Sequence, residues 1–141
     1  MPKPALRIAY LREVESLENL LRTLRFSEQG LIPCVFQEAS SGKVITLAYM
    51  NREALELTLK TGKVHVFRRS HGRVMMKGET SGNVQYVREV RADCENNSLL
   101  VLIDMAGPGC HTGWHHCYFR LYDQQTDSFQ DQDIGEFGPA R

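Results

Sequence analysis

A succession of short strand-like segments separated by turn residues is the feature that most constrains the fold. Most of these segments are rich in apolar residues and have glycine, serine or asparagine on at least one side, which is typical of strands in an antiparallel sheet. The predicted strands are Leu31–Glu38, Lys43–Met50, Val64–Arg69, Arg73–Lys77, Val84–Ala92, Leu99–Met105 and Cys117–Tyr122. The Ala-Ser-Ser-Gly sequence at 39–42 predicts a hairpin turn between the first two.

Two segments have the pattern of helices. Leucines at i, i+3, i+4 and i+7 predict an amphipathic helix over residues 12–24. These leucines are Leu17, Leu20, Leu21 and Leu24. Asn51 is a predicted N-cap of a second helix that continues through Leu59, with Gly62 beyond its C-terminus. Several strands, two helices and short connections predict a single α+β domain with a mostly antiparallel sheet.

The chain divides into three predicted parts. Residues 1–29 form an N-terminal helical extension, and residues 30–122 form the compact domain. Residues 123–141 are polar, with two glycines and a proline, and are expected to be an irregular C-terminal tail. A total of 141 residues is enough for one domain with its own core.

Charge and composition limit the class of partner. Lysine plus arginine and aspartate plus glutamate both number 17, so the net charge is zero. This balance argues against a broad surface for nucleic acid or membrane. The sequence has no long apolar run, and its N-terminus lacks the apolar core of a secretion signal, so we expect a cytoplasmic location. Thiols stay reduced there, which favours metal ligation over disulfides.

Three cysteines stand apart from the predicted strand interiors. Cys94 follows a strand, and Cys110 and Cys117 lie in a segment rich in glycine and histidine. Zinc prefers thiolate and imidazole ligands, and three protein ligands leave a fourth position free for water, as in catalytic sites. The alternative is that these cysteines are small core hydrophobes. That alternative suits Cys34, inside an apolar strand, which we leave out of the site.

The neighbouring polar residues suggest further roles. His111, beside Cys110, is the candidate general base, whereas His115 and His116 are expected to be solvated loop residues. Asp93 and Glu95 would share one face of an extended strand, so both carboxylates could bind magnesium, and Asn97 could add an amide oxygen. A polar strand end followed by a turn is the alternative for these acidic positions.

Two further segments combine cations with a turn rich in glycine and hydroxyl groups. They are residues 68–73, Arg-Arg-Ser-His-Gly-Arg, and residues 77–83, Lys-Gly-Glu-Thr-Ser-Gly-Asn. Backbone N–H groups and arginine side chains commonly hold phosphate. A solvated hairpin is the alternative.

Taken together, the motifs resemble those of the phosphoribosyl-AMP cyclohydrolase family, in register from about Gly30 to Leu121. The matching stretches are Leu31–Pro33, Leu47–Leu55, Lys77–Gln85, Asp93–Cys94, Gly107–Gly113 and Cys117. The resemblance implies an intertwined homodimer that opens the purine ring of phosphoribosyl-AMP in histidine biosynthesis. It also implies zinc held by Cys94 of one chain with Cys110 and Cys117 of the other. Our candidates for the substrate-binding residues are Arg69, Ser70, His71, Lys77, Glu79, Thr80 and Ser81.

The sequence departs from the family pattern at two places. The family's aspartate-cysteine-aspartate-x-aspartate motif keeps its first acid as Asp93 but has Glu95 and Asn97 in place of the others, which predicts weak or absent magnesium binding. In the substrate loop, tryptophan-serine-arginine-serine-arginine is replaced by the Phe-Arg-Arg-Ser-His sequence at 67–71, and leucine-tryptophan by Val-Met at 74–75. Histidine in place of arginine removes a permanent bidentate phosphate ligand.

These departures leave two alternative functions open. One is a paralogue that keeps the zinc hydrolase centre but acts on a different cyclic amidine or heterocycle. The other is a non-catalytic, zinc-stabilised nucleotide-binding module, against which the intact Cys110-His111 pair argues. Fold-level analogy cannot by itself decide between these chemistries.

Overall fold

The structure is a computed structural model and describes residues 14–132. Within these residues, two helices and eight strands follow one another. They are α1 (Val14–Thr23), β1 (Ile32–Glu38), β2 (Val44–Met50), α2 (Arg52–Thr61), β3 (His65–Arg68), β4 (Arg73–Met76), β5 (Gln85–Ala92), β6 (Leu99–Met105), β7 (Arg120–Asp123) and β8 (Ser128–Asp131).

The main sheet has four strands in the order β2-β1-β6-β5, and two separate hairpins are formed by β3-β4 and β7-β8. Every strand pair is antiparallel except β1 with β6, which is parallel. A parallel pair needs a long connection, and here the chain between β1 and β6 contains α2 and four other strands. The predicted α+β domain with a mostly antiparallel sheet and two helices is confirmed.

Capping explains where α2 begins and ends. The Asn51 side chain accepts a hydrogen bond from Ala54 N, and Gly62 adopts the left-handed conformation at φ 74° and donates its N–H to Thr58 O. These are the N-cap and C-terminal glycine roles that the sequence predicts. Helix α2 buries Leu55 and Leu59 in the core below the sheet.

Helix α1 packs on the same core. Leu17, Leu21 and Leu24 are buried in the cluster that contains the strand residues, which agrees with the predicted leucine stripe. Glu18 of α1 also forms an ion pair with Arg52 of α2. The predicted helix start at residue 12 lies outside the described residues. Neither helix described between residues 14 and 132 has the length and apolar character needed to cross a membrane.

The predicted end of the domain is wrong in two respects. The last predicted strand begins at Arg120 rather than Cys117, because residues 117–119 still belong to the preceding loop, where Cys117 N donates to Ile45 O. The tail predicted to be irregular contains β8, paired with β7. All four residues of β8 are exposed, so the strand has no buried face and lacks the apolar alternation by which strands are recognised.

Candidate active site

Strands β5 and β6 form a hairpin, and the three cysteines predicted to bind zinc follow its strands at opposite ends. At one end, which we call the cavity end, Ala106 N donates to Val84 O and the chain continues into the loop of Cys110 and Cys117. At the other, the turn end, Asp93 N donates to Ser98 O and the turn contains Cys94. The seven residues of β6 separate the two ends by about 20 Å at about 3.3 Å per residue.

Backbone hydrogen bonds fold the loop at the cavity end tightly. Gly109 N donates to His115 O at 2.9 Å, and Cys110 N donates to Trp114 O at 3.1 Å. A Cβ at Gly109 would lie 2.4 Å from Ile45 Cγ2 and 2.8 Å from His115 O, so only glycine fits there. The Trp114 ring stacks on Phe119 with centroids 4.8 Å apart and planes 3° apart. The loop is therefore fixed against the sheet and within itself.

The loop brings two thiols together. Burial opposes ionisation of Cys110, but the hydroxyl and backbone of Thr112, the Cys117 side chain and the Lys77 charge outweigh it and lower the pKa of Cys110. Burial raises the pKa of Cys117, which donates its hydrogen bond to Cys110. Cys110 Sγ is 2.9 Å from Thr112 Oγ1. Cys110 thus ionises first, with Cys117 as its hydrogen-bond partner.

A cavity of about 400 Å³ opens beside these thiols. Its lining includes six of the residues predicted for the site, namely Lys77, Glu79, Thr80, Ser81, Cys110 and His111. Burial lowers the pKa of the Lys77 ammonium; the Cys117 and Cys110 thiolates oppose this and the Arg68 guanidinium adds to it. The cavity therefore places a cation, two hydroxyls and an imidazole next to the Cys110–Cys117 thiol pair.

The turn of residues 77–83 forms one wall of the cavity. Gly78 has φ 88°, and a Cβ there would lie 2.5 Å from the backbone atoms Asn83 C and Val84 N. Gly82 N donates to Gly78 O, and Ser81 Oγ accepts from Asn83 N at 3.1 Å. Glu79 closes the start of the turn by accepting from Met76 N at 2.9 Å.

Three predicted substrate residues lie outside this cavity. The Arg69 guanidinium lies over the Tyr49 ring, 4.1 Å from its centroid. Arg69 and Ser70 line a separate shallow groove with Leu47 and Phe67. His71 is exposed in the β3-β4 turn, where its Nδ1 is 3.1 Å from Ser70 Oγ.

The acidic residues occupy a tight turn instead of an extended strand. Strand β5 ends at Ala92, and Asn96 has φ 58°. Asp93 Oδ1 accepts from Asn97 N at 2.9 Å and from Ser98 N at 3.2 Å. The expectation that Asp93 and Glu95 share a strand face is therefore wrong, because the Asp93 side chain bonds the backbone and bends the chain.

Asn97 also contacts Asp93 through its side chain. When its amide is oriented to satisfy both polar atoms, the NH₂ group donates to Asp93 Oδ2 at 2.7 Å. Desolvation raises the pKa of Asp93, but the N–H groups of Asn97 and Ser98 outweigh it and lower that pKa. Both Asp93 oxygens thus accept hydrogen bonds from protein donors.

Cys94 is exposed at the turn end, far from the other two cysteines. Zinc–sulfur bonds are about 2.3 Å long, so thiols about 20 Å apart cannot share one ion. Within residues 14–132 no group of three histidine, cysteine or acidic side chains could hold a metal ion. Of the three cysteines predicted to bind zinc, the described part of one chain therefore brings only Cys110 and Cys117 together.

The histidines that follow Cys110 differ from expectation. His116 is fully buried, and its Nδ1 accepts from Tyr118 N at 3.1 Å. His115 Nε2 is 2.8 Å from Glu38 Oε1 on β1. The prediction of a solvated loop histidine is therefore wrong for His116, because the folded loop buries this side chain. The His115 side chain remains 35% exposed while it contacts Glu38. His111 is exposed, at the cavity.

Sequence reasoning missed Gln85 as a candidate site residue. It lines the cavity, is 2% exposed and begins β5 with the alternating buried pattern that continues at Val87. A polar residue at an inward-facing position of a strand was the available signal. The contact between His115 and Glu38 had no such signal, since it joins residues far apart in the chain.

Comparison with known proteins identifies the family. The family model for phosphoribosyl-AMP cyclohydrolase matches residues 46–119. Phosphoribosyl-AMP cyclohydrolase from Acidiphilium cryptum is 46% identical over 101 residues, which cover 72% of this chain and 87% of that protein.

Two bifunctional relatives are similar over a comparable stretch. The histidine biosynthesis bifunctional protein HisIE from Caldanaerobacter subterraneus subsp. tengcongensis is 44% identical over 107 residues, 76% of this chain and 52% of the relative. The protein of the same name from Pyrococcus furiosus is 47% identical over 105 residues, 74% of this chain and 50% of the relative. The chain thus matches about half the length of these bifunctional relatives. The segment that matches the family model contains the cavity, Cys94, Cys110 and Cys117. The chain therefore belongs to the phosphoribosyl-AMP cyclohydrolase family.

Proposed function

We propose that this protein opens the purine ring of phosphoribosyl-AMP by hydrolysis, as a zinc-dependent homodimer in the cytoplasm. The observation that carries the proposal is the cavity in which Lys77, Cys110 and His111 meet. This cavity lies within the segment that matches the family model. Relatives named phosphoribosyl-AMP cyclohydrolase support the choice of substrate.

The thiol pair supports zinc as the metal. Cys110 and Cys117 already interact, and Cys110 has a lowered pKa, as a ligand that must be deprotonated requires. Cys94 is exposed and too far away in its own chain, so we propose that a second copy supplies it. Zinc held by these three thiolates would contribute Lewis acidity for the activation of water.

The cavity residues suggest how the reaction proceeds. Lys77 and the Thr80 and Ser81 hydroxyls would hold the anionic phosphate and ribose groups. His111, exposed beside Cys110, would accept a proton from the attacking water as its oxygen bonds to the amidine carbon. The ring C–N bond then breaks, and the leaving nitrogen receives a proton.

The turn end does not fit a magnesium site. Magnesium requires oxygen ligands with free lone pairs in near-octahedral geometry. Both Asp93 oxygens accept protein hydrogen bonds, and Asn97 presents N–H donors to that carboxylate. The proposed reaction therefore assigns no step to magnesium.

One observation favours a second candidate, a paralogue that hydrolyses a different cyclic amidine. Arg69 contacts the Tyr49 ring and, with Ser70 and His71, lies outside the cavity. If residues 77–83 alone hold the substrate, the cavity suits a molecule that needs fewer phosphate contacts than phosphoribosyl-AMP does.

Ring opening of phosphoribosyl-AMP, followed by ultraviolet absorbance with zinc-loaded protein, tests the proposal. We expect turnover that falls by on the order of 1,000-fold in Cys110→Ala, because the metal site is lost. Cys34→Ala is the matched control: Cys34 is fully buried in the core, so this variant should keep its zinc content and turnover. A zinc-loaded, folded wild-type dimer without turnover would reject this substrate and favour the paralogue.

A further inference from the structure

The Gln85 side chain carries a buried acceptor with no partner. Gln85 is 2% exposed, and among residues 14–132 nothing donates a hydrogen bond to its Oε1. Its backbone is fixed, since Gln85 O accepts from Val64 N at 2.9 Å and the residue pairs with Met105 across the sheet. The backbone that carries this side chain is therefore held at one place in the cavity wall.

An unpaired buried amide oxygen costs folding free energy, and most buried polar groups in folded proteins have partners. Such an acceptor is tolerated where a ligand supplies the missing donor. The same cavity is lined by Lys77, Cys110 and His111, and Gln85 is one of its wall residues. The side chain that carries the buried acceptor is therefore part of the wall of the candidate active site.

The surroundings of Gln85 indicate which part of a ligand it meets. Val66 and Met76 line the cavity with it and provide apolar surface. An amide oxygen repels phosphate oxygens, which suit Lys77 and the 77–83 turn better. A flat heterocycle with an N–H group satisfies both the apolar surface and the acceptor, and the low local dielectric strengthens that hydrogen bond.

We propose that Gln85 determines specificity by accepting a hydrogen bond at Oε1 from the N–H of the purine amidine group. This rests on the proposed function for the identity of the substrate. A trapped water molecule is the competing partner, and it would make Gln85 structural. The two cases predict opposite effects on stability when the amide is replaced by an apolar side chain of similar length.

The test compares Gln85→Met with wild type by calorimetric binding of AMP, turnover of phosphoribosyl-AMP and urea denaturation. We expect Gln85→Met to keep or raise the denaturation midpoint, because an unpaired buried acceptor is removed. We also expect about 10- to 100-fold weaker AMP binding and a similar fall in kcat/KM.

Thr58→Val is the matched control. Thr58 is also buried, but its hydroxyl donates to Ala54 O at 2.7 Å and accepts from His65 N at 2.9 Å. This variant should lose stability while AMP affinity stays unchanged. If Gln85→Met instead behaves like Thr58→Val, with a lower urea denaturation midpoint and unaltered AMP affinity, the proposal is overturned.

If Gln85→Met does not fold, a comparison of two nucleotides binding to the wild-type protein still tests the proposal. Purine riboside 5′-monophosphate lacks the amino group of AMP, so wild type should bind it about 10-fold more weakly. Equal binding of the two nucleotides, or no binding of either, would contradict the role of Gln85. AMP binding with this preference but no turnover of phosphoribosyl-AMP would reject the proposed function alone.

Discussion

The two ends of the β5-β6 hairpin use the same strands for different purposes. At the cavity end the wall contains the Cys110 thiol, a lysine and the Gln85 side chain, whose amide oxygen accepts no hydrogen bond from residues 14–132. At the turn end the polar groups satisfy one another, with Asp93 accepting from Asn97 and Ser98. A group of polar residues therefore indicates a ligand site only where the folded chain leaves some of them without protein partners.

The largest expected effect tests whether the two ends act together across a dimer. Cys94→Ala and Cys110→Ala should each be inactive, and mixing them after denaturation and refolding should restore about a quarter of wild-type turnover. Half of the randomly assembled dimers would be mixed, each with one intact site of two. Activity of Cys94→Ala alone would show that the turn end contributes nothing to the site.

Thiol labelling sharpens the comparison in metal-free protein. Burial raises the pKa of Cys34 to about 12, so at pH 8 only about 1 in 10,000 of these thiols is ionised and reactive. Exposed Cys94 should react with iodoacetamide on the order of 100-fold faster, as mass spectrometry of labelled peptides can show. If Cys94 ligates zinc, adding the metal should slow its reaction with iodoacetamide. Fast labelling of Cys34 would contradict the burial of that residue.

The wall of the cavity end should be sensitive to one methyl group. Gly78→Ala places a Cβ 2.5 Å from the backbone at Asn83 and Val84, and we expect a loss of about 3 kcal/mol in unfolding free energy. Gly82→Ala is the matched control: φ is 82° but nothing lies within 4 Å, so the loss should be about 1 kcal/mol. Equal losses in urea denaturation would show that the close approach is absent.

The smallest effect concerns the turn end. Asn97→Asp replaces the donor to Asp93 with a second carboxylate, so stability should fall by about 1 kcal/mol. Magnesium should then recover part of that loss, because two carboxylates can bind it. Thermal denaturation with and without magnesium measures this, and Asn97→Ala should lose stability without responding to the cation. An identical response in both variants would show that no cation site was created.

Much of the fold could be predicted from local patterns. The Asn51 cap, Gly62 and the leucine stripe of α1 each depend on residues within a few positions of one another, and the structure agrees with all three. Strand β8 could not be predicted, because it buries no face and its pairing with β7 leaves no mark on the composition.

The candidate site was predictable by residue type but not by position. The sequence identifies Cys94, Cys110 and Cys117 as one group, whereas the length of β6 places Cys94 at the opposite end of the hairpin. Arg69 and Lys77 also form one predicted set, yet the β3-β4 turn directs Arg69 to Tyr49 and away from the cavity. Such separations depend on strand pairing, which local sequence patterns do not specify.

The stacked pair of Trp114 and Phe119 gives this protein an internal optical probe. Trp114 is the only tryptophan in the chain, and it lies between Cys110 and Cys117 in sequence. Intrinsic fluorescence excited at the indole band therefore reports on this loop without any label. Changes in its emission would follow metal loading and nucleotide binding in real time. A loosened loop would separate the indole from the Phe119 ring and expose it to water, which would shift the emission to longer wavelength.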